Sequence, residues 1–344
     1  MSLMPGAGRK IVVAGAGSVG CYVGAVLAAA GRDVTLLVRP ERGNHIAQRG
    51  IRVSDLEGFN KLVTVAQLEL TTVASAALTG ADIVLVAVKS GDTASIAADI
   101  ARHAPPSANV LSLQNGIGNA GVLSPLIAPR AALPGVVMFN VVLSERDAEM
   151  PLIVHRATSG GILMPEGHAA LREALNVSGL EVIAKPDMAG VAWGKLLLNL
   201  NNAINALSGL PLTRQLALRE WRRILADQTA EALRVMRSAG IKPAKVGAVR
   251  PALVPYLLQL PDKIFHVVAA QMLAMDPDAR SSMWEDLERR HVTEIDYLQG
   301  EIARLAEARH IEVPVTARLI ALVKAAEAAK AGSPRLTPQQ VRGE

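Results

Sequence analysis

The sequence predicts an α/β protein in two parts, a doubly wound parallel sheet followed by an all-helical unit. Three observations predict it. Over the first half, short apolar runs alternate with helical patterns, as in chains whose helices cover both faces of a parallel sheet. A glycine-rich turn stands between the first run and the first helix. After Asp187 the strand-like runs stop, and helical periodicity continues to about Ala331. The 344 residues suffice for two domains of ordinary size.

In chain order, Lys10–Ala14 is a short, mostly apolar run ending at Gly15 and reads as a buried strand. Ser18–Ala30 is an Ala/Val-rich helix that stops at Gly31, and Asp33–Val38 is a second strand. Ile51–Val65 reads as a hairpin around "DLEG". Ile83–Val88, Val110–Leu113 and Ala132–Met138 are further strands, with a helix at Thr93–His103. "LIVHRATSGGILMP" reads as two short strands joined by a turn, and "LEVIAKPDM" as a strand leading into a helix. The helical half is broken at Gly209–Pro211, Gly240–Pro243, Pro251–Pro261 and Asp276–Pro277. The domains expected are 1–185 and 186–331, with 332–344 a loosely held tail.

Composition narrows the class. Half the residues are apolar but only 3% are aromatic, so the core is aliphatic. The net charge of +5 is spread along the chain, without the basic run or aromatic-interleaved patch of a nucleic-acid site. It is compatible with a basic cleft for small anions. A lone cysteine, Cys21, excludes an intrachain disulfide framework and a cysteine-based zinc cluster, and no metal is expected. The first eight residues lack the basic and apolar regions of a secretory signal, and no run of 18 apolar residues occurs. The expectation is a cytoplasmic protein with no membrane partner.

"GAGSVG" at residues 15–20 has the G-x-G-x-x-G spacing directly after a strand and at the start of a helix. Gly15 permits the tight turn, Gly17 lets backbone approach a pyrophosphate, and Gly20 allows close helix–strand packing. Ala16, Ser18 and Val19 complete the loop, whose amides and helix N-terminus face phosphates. This is a Rossmann-type dinucleotide site. The next strand ends "LLVRPER". An acid there would hold the ribose of NAD, whereas Arg39, with Arg42 nearby, would pair with a 2′-phosphate, so NADP is the expected cofactor. Asn115, in "LSLQNGIGN", and Lys89, in "AVKSGD", stand at what would be the carboxyl ends of sheet strands, where ligands bind in such folds.

"WGKLLLNLNNAINALSGLP" begins the helical half. On one helix, Trp193, Leu197, Leu200, Ile204 and Leu207 form an apolar stripe, and Lys195, Asn199 and Asn202 share roughly the opposite face. Asparagine is a poor helix former, so its density here raises two readings: a solvated face, or a site wall of one ammonium flanked by amides. Further on, Ile295, Leu298, Ile302 and Leu305 form a seam with Glu294 at its start. An enclosed Glu294 would need a partner such as Lys195; the plainer reading is a surface carboxylate near a helix start. Ser282 precedes Glu294 by twelve residues, about 18 Å along a continuous helix, so either the helix breaks around Arg290–Thr293 or the two serve opposite ends of an extended ligand pair, the second being preferred.

The ordered motifs "GAGSVG", "LLVR", "AVKSGDT", "QNGIGN", "WGKLLLN", "RSSMWEDLERRHVTEIDYLQGEIARLA" and "HIEVPVT" run from about Lys10 to Leu322, and in them the chain resembles the ketopantoate reductase (2-dehydropantoate 2-reductase) family. The resemblance implies a Rossmann domain followed by a helical domain, with the active site in the cleft between them. It implies NADPH-dependent reduction of ketopantoate to pantoate, a step toward pantothenate and coenzyme A. On matching positions it makes Lys195 the general acid, puts Asn115 near nicotinamide and substrate, and puts Asn199 and Ser282 on the substrate. It gives Glu294 a cofactor ribose or the orientation of Lys195.

Three places depart from that pattern, one of them the strand after the "NG" motif, which reads "GVVMFNVV" and not the small-hydroxyl-rich run expected. Where the family often has a second Asn eight residues after the lysine, this chain has Ala203, leaving Asn202 or Asn205 as the replacement. The loop "GLPLTRQLA" offers only Thr213 for a further substrate Asn. Two rival functions follow: a reductase of another branched 2-keto acid, and a non-catalytic NADP-binding sensor, which would need the glycine motif but not Lys195 and Glu294 together. The expected partner is a small 2-keto acid, and a homodimer is allowed.

Overall fold

The computed structural model describes residues 8–144, 149–247, 249–270 and 276–344. Residues 1–7, on which the reading of the leader rests, lie outside them. The chain divides into two compact units, Met1–Met188 and Ala189–Glu344. That division falls just beyond the 185/186 boundary expected.

In the first unit, β1 (Lys10–Ala14), β2 (Asp33–Leu37), β3 (Ile51–Asp55), β4 (Asn60–Val63), β5 (Glu69–Thr71), β6 (Ile83–Val86), β7 (Asn109–Ser112) and β8 (Ala132–Pro134) follow in sequence, with helices between several of them. The main sheet has the order β5-β2-β1-β6-β7-β8, and every pairing in it is parallel. Alternate residues of β1 face opposite ways: Ile11 and Val13 join one apolar cluster, Val12 and Ala14 another. Each strand is therefore buried on both faces, which explains why these runs read as continuous apolar stretches. The chain leaves β1 toward β2 on one side and returns to β6 on the other, so the crevice where the order reverses opens beside the end of β1.

The hairpin around "DLEG" forms as β3 and β4, held by Asp55 Oδ1 accepting from the Glu57 and Phe59 N–H groups at 2.8 Å. Two expectations need correction. Ala132–Met138 is not one strand: β8 ends at Pro134, and β9 (Val136–Val137) belongs to another sheet. Gly135 makes the switch, and a Cβ there would lie 2.8 Å from the Ser112 carbonyl oxygen. The strands of "LIVHRATSGGILMP" are likewise not partners. Leu152–Arg156 pairs with β3, whereas Ile162–Pro165 pairs with Val182–Lys185 and with β9.

The second unit is helical. Its first helices are Met188–Asn199 and Asn201–Ser208. Sequence periodicity treats them as one, and Leu200 between them keeps helical angles (φ −57°, ψ −28°). The interruption has two visible causes: Gln299 donates to the Leu200 carbonyl at 2.9 Å, and the Ser281 hydroxyl donates to the Asn202 carbonyl at 3.1 Å. Of the expected apolar stripe, Leu197, Leu200, Ile204 and Leu207 are buried and Trp193 is half-buried. Arg219–Ser238 is the long helix of the unit, with fully buried Arg222 donating to the carbonyls of Leu216, Ala217, Leu258 and Leu260.

The segment 332–344 differs from the loose tail expected. Pro338–Arg342 is a short helix with a Thr337/Gln340 capping box. Ser333 donates to the Ala206 carbonyl, Leu336 N–H to Leu207, and Arg342 pairs with Asp227 at 2.8 Å. Val341 is buried.

Candidate active site

The first unit gathers its candidate residues at the carboxyl edge of the parallel sheet. Gly15 follows β1, Arg39 follows β2, Lys89 follows β6 and Asn115 follows β7. The three motif glycines separate by what surrounds them. A Cβ on Gly15 (φ +110°) would lie 2.6 Å from the Val88 nitrogen, and one on Gly20 would lie 1.9 Å from the Gly15 carbonyl oxygen. These two are glycine because protein backbone passes close by. A Cβ on Gly17 meets nothing within 4 Å, so packing does not demand glycine there, and the opening suits backbone approached from outside.

Gly17 is the N-cap of helix Ser18–Ala29 and caps nothing with a side chain, and the first turn holds no acid. The first-turn N–H groups of Ser18 and Val19, both half-buried, are thus presented with the positive end of the helix dipole. Ala16 is buried, and its carbonyl accepts from Arg42. This role of Arg42 was not legible in the sequence, because the contact spans 26 residues. Arg39 is exposed at the N-cap of helix Pro40–Arg49, and Lys89 is exposed before a single 3₁₀ turn. A pyrophosphate-bearing cofactor fits this set: open backbone at Gly17, uncapped amides, and an exposed guanidinium where an acid would otherwise stand.

Asn115 is half-buried, and its backbone is fixed by side chains that sequence reading passed over. Its carbonyl accepts from Asn119 Nδ2 at 2.7 Å and from the Ser90 hydroxyl at 3.2 Å. Gln114 donates to Thr93 at 2.8 Å. The "SGDT" and "QNGIGN" motifs are therefore halves of one buried network joining the ends of β6 and β7. The signal was present, since each motif carries hydroxyls or amides beside a strand end.

The second unit presents the Lys–Asn face. Lys195 is half-buried, Asn199 is only 8% exposed, and Asn202 is half-buried. With Leu200 helical, the three lie on one face. The four asparagines of this stretch sort into two kinds. Asn201 accepts from Gln215 at 2.7 Å, and fully buried Asn205 donates to the Leu210 carbonyl and accepts from the Ser281 N–H, each at 2.8 Å. Among the described residues, the side chains of Lys195, Asn199 and Asn202 make no hydrogen bond or ion pair. Burial, unrelieved by any carboxylate, lowers the Lys195 ammonium from 10.5 to about 8.

The sequence leaves two points open about the acidic partner. Glu294 does not pair with Lys195; it is half-buried at the start of the turn Ile295–Tyr297. The helix is also not continuous from Ser282 to Glu294. Helix Ser282–Glu288 ends there, and Arg290 adopts a left-handed conformation (φ +57°). Thr293 is then tied through its N–H and hydroxyl to Glu327 at 2.7 and 2.6 Å, which sets the backbone just before Glu294. Ser282 is exposed at the first position of its helix, while neighbouring Ser281 is the cap, accepting from the Trp284 N–H. Ser281 also ties that helix end to the Asn202 carbonyl.

Comparison with known proteins adds family to geometry. The model of the family described as ketopantoate reductase PanE/ApbA matches residues 11–168, and that of its C-terminal domain matches residues 187–327. A 2-dehydropantoate 2-reductase of Pyrococcus horikoshii is 30% identical over 94% of this chain and 99% of its own. A solved PanE/ApbA family ketopantoate reductase from Ralstonia eutropha JMP134 superposes with a TM-score of 0.76 at 32% identity, covering 94% of this chain and 99% of that one. A D-mandelate dehydrogenase, solved with NADH and anilino(oxo)acetate, reaches 0.75 over 94% of this chain and 99% of its own. At 21% identity it shares the fold alone.

Proposed function

The chain belongs to the ketopantoate reductase family, and from that membership we infer that it is a nicotinamide-dependent oxidoreductase reducing 2-dehydropantoate to pantoate, with NADPH as its preferred donor. The observation that supports the reading best is the Lys195–Asn199–Asn202 face: one ammonium and two amides without protein partners, on a helix whose other asparagines are committed to packing.

The nicotinamide, when bound, supplies the hydride to the keto carbon. Negative charge then builds on the carbonyl oxygen, and the Lys195 ammonium stabilises it and donates the proton. A lysine lowered to about 8 is well placed for this, since it is mostly protonated at neutral pH yet gives up its proton readily. Asn199, Asn202 and the Ser282 hydroxyl serve the substrate's carboxylate and hydroxyl groups without imposing a charge. Asn205 is withdrawn from that list, because its amide is spent on Leu210 and Ser281. Asn115 approaches the nicotinamide and the substrate. Gly15 to Gly20, with Ala16, Ser18 and Val19, take the pyrophosphate, and Lys89 stands at the cofactor edge of the same sheet. Glu294, with no bond to Lys195, is assigned to a cofactor ribose hydroxyl.

Steady-state assay with 2-dehydropantoate, using NADPH and NADH in parallel, tests the proposal; absence of turnover with both overturns it. Arg39 is the selector of the 2′-phosphate. Arg39→Asp is expected to raise the KM for NADPH about 10–100-fold, as loss of a charged hydrogen bond would, while leaving the NADH value within a few-fold. Ala203, in the place of a family asparagine, supports a second reading in which a different branched 2-keto acid is preferred. A panel of such acids, ranked by kcat/KM, separates the two.

A further inference from the structure

The second unit carries an open surface pocket of about 570 Å³ lined by Arg214, Arg280 and Arg335, by no acidic residue, and by none of Lys195, Asn199, Asn202 and Ser282. Three separate segments contribute these arginines to the lining. Arg214 rides on helix Leu212–Ala217, Arg280 precedes the capped helix Ser282–Glu288, and Arg335 belongs to the docked C-terminal segment. Gly209 lies against two of these residues, the Arg280 guanidinium and the Arg335 stem. Its carbonyl accepts from Arg280, and a Cβ on it would lie 2.9 Å from the Arg335 Cγ. Arg280 is further held with its guanidinium carbon 4.4 Å from the centre of the Trp284 ring. Arg335 sits in a left-handed conformation (φ +49°), with its N–H toward the Ser333 hydroxyl that anchors the segment to Ala206.

Among the described residues none of the three arginines has a carboxylate partner. Other arginines of this chain do: Arg156 with Asp55, Arg222 with Asp262, Arg304 with Glu301 and Arg342 with Asp227. Glu288, whose carboxylate reaches the same C-terminal segment, accepts from the Ser333 N–H and does not line the pocket. Like charges on one wall repel one another, and an anion with several oxygens relieves that repulsion while taking paired N–H donors from guanidinium forks. The volume lies in the range of small-molecule sites.

We propose that this pocket is a second ligand site, separate from the catalytic face, for a phosphate-bearing small molecule. Arg280, oriented by Trp284 and Gly209, is its fixed donor; Arg214 and Arg335, both exposed, supply the further guanidiniums.

Pyrophosphate is the probe, titrated calorimetrically into the full-length protein at low salt. The wild type is expected to show a binding event that an Arg214→Gln/Arg335→Gln double variant loses or weakens at least tenfold. The double variant should melt, without anion, no lower than the wild type, because it removes exposed like charges. An Arg214→Lys/Arg335→Lys variant keeps the charge without the forks and should fall between. Binding that is identical in wild type and double variant would place the anion elsewhere, such as at the glycine loop, and overturn the proposal. So would a wild type that binds no pyrophosphate.

Discussion

At the residue scale, the glycine motif and Lys195 show how far one side chain's surroundings decide its role. The motif gives Gly17 and Gly20 different tasks, and of the two only Gly20 is pressed against backbone. Gly20→Ala is expected to cost at least about 2 kcal/mol of stability, as overpacking does, read by denaturant unfolding. Gly17→Ala should leave stability nearly unchanged and raise the KM for the nicotinamide cofactor. Lys195 makes a sharper case. Its ammonium is at about 8 in the folded chain and 10.5 as a free side chain, so between those values the unfolded state binds the extra proton. Stability from this group is therefore diminished at pH 7 and recovers as pH rises from 8 toward 10.5. Activity runs the other way, with kcat for keto-acid reduction falling as pH rises through about 8. Lys195→Met should lower kcat about 10²–10⁴-fold and raise unfolding free energy at pH 7 by on the order of 1–3 kcal/mol. A variant that loses activity without gaining stability would count against the burial argument.

Elements end and bend where remote side chains reach them. The run Ala132–Met138 carries Pro134–Gly135 at its middle, and it is there, where Gly135 comes close to Ser112, that it divides between two sheets. Helix Pro314–Ala329 has no cap of its own at Val313. Buried Glu231, from the long helix of the unit, supplies one by accepting from the N–H groups of Val315 and Thr316 at 2.9 Å and from the Thr316 hydroxyl at 2.8 Å. Nothing local in the sequence marks Glu231 as a cap for a helix some eighty residues on. Glu231→Ala strands those donors and should cost roughly 3 kcal/mol, seen as a drop of several degrees in Tm. The broken stretch between Ser282 and Glu294 belongs to the same class. Its periodicity is helical, but Thr293 is drawn to Glu327, and that tertiary contact accompanies the break.

Across the whole molecule, each unit has its own logic. The first is a parallel sheet with apolar clusters on both faces, and the second is a set of helices closed by the C-terminal segment. Deleting residues 332–344 removes buried Val341, the Arg342–Asp227 pair and the bonds to Ala206 and Leu207. The truncated protein is expected to melt several degrees lower. An unchanged Tm would restore the loose tail that the polar composition of 332–344 suggests. Strands β1, β2, β6 and β7 of the main sheet, the glycine loop and the place of Arg39 after a strand were legible in the sequence, because each depends on neighbours within a few turns or a single loop, whereas β5 went unread, β8 was run on into β9, and the Lys195–Asn199–Asn202 face stood as one of two readings. The sorting of the asparagines was decided only by tertiary structure, as were the separation of Glu294 from Lys195, the Arg42 contact to the glycine loop and the docking of the tail. Those outcomes depend on which distant donor or acceptor a buried polar group meets. Local periodicity says which face a residue takes, while the partner waiting on that face can belong to a segment more than a hundred residues away.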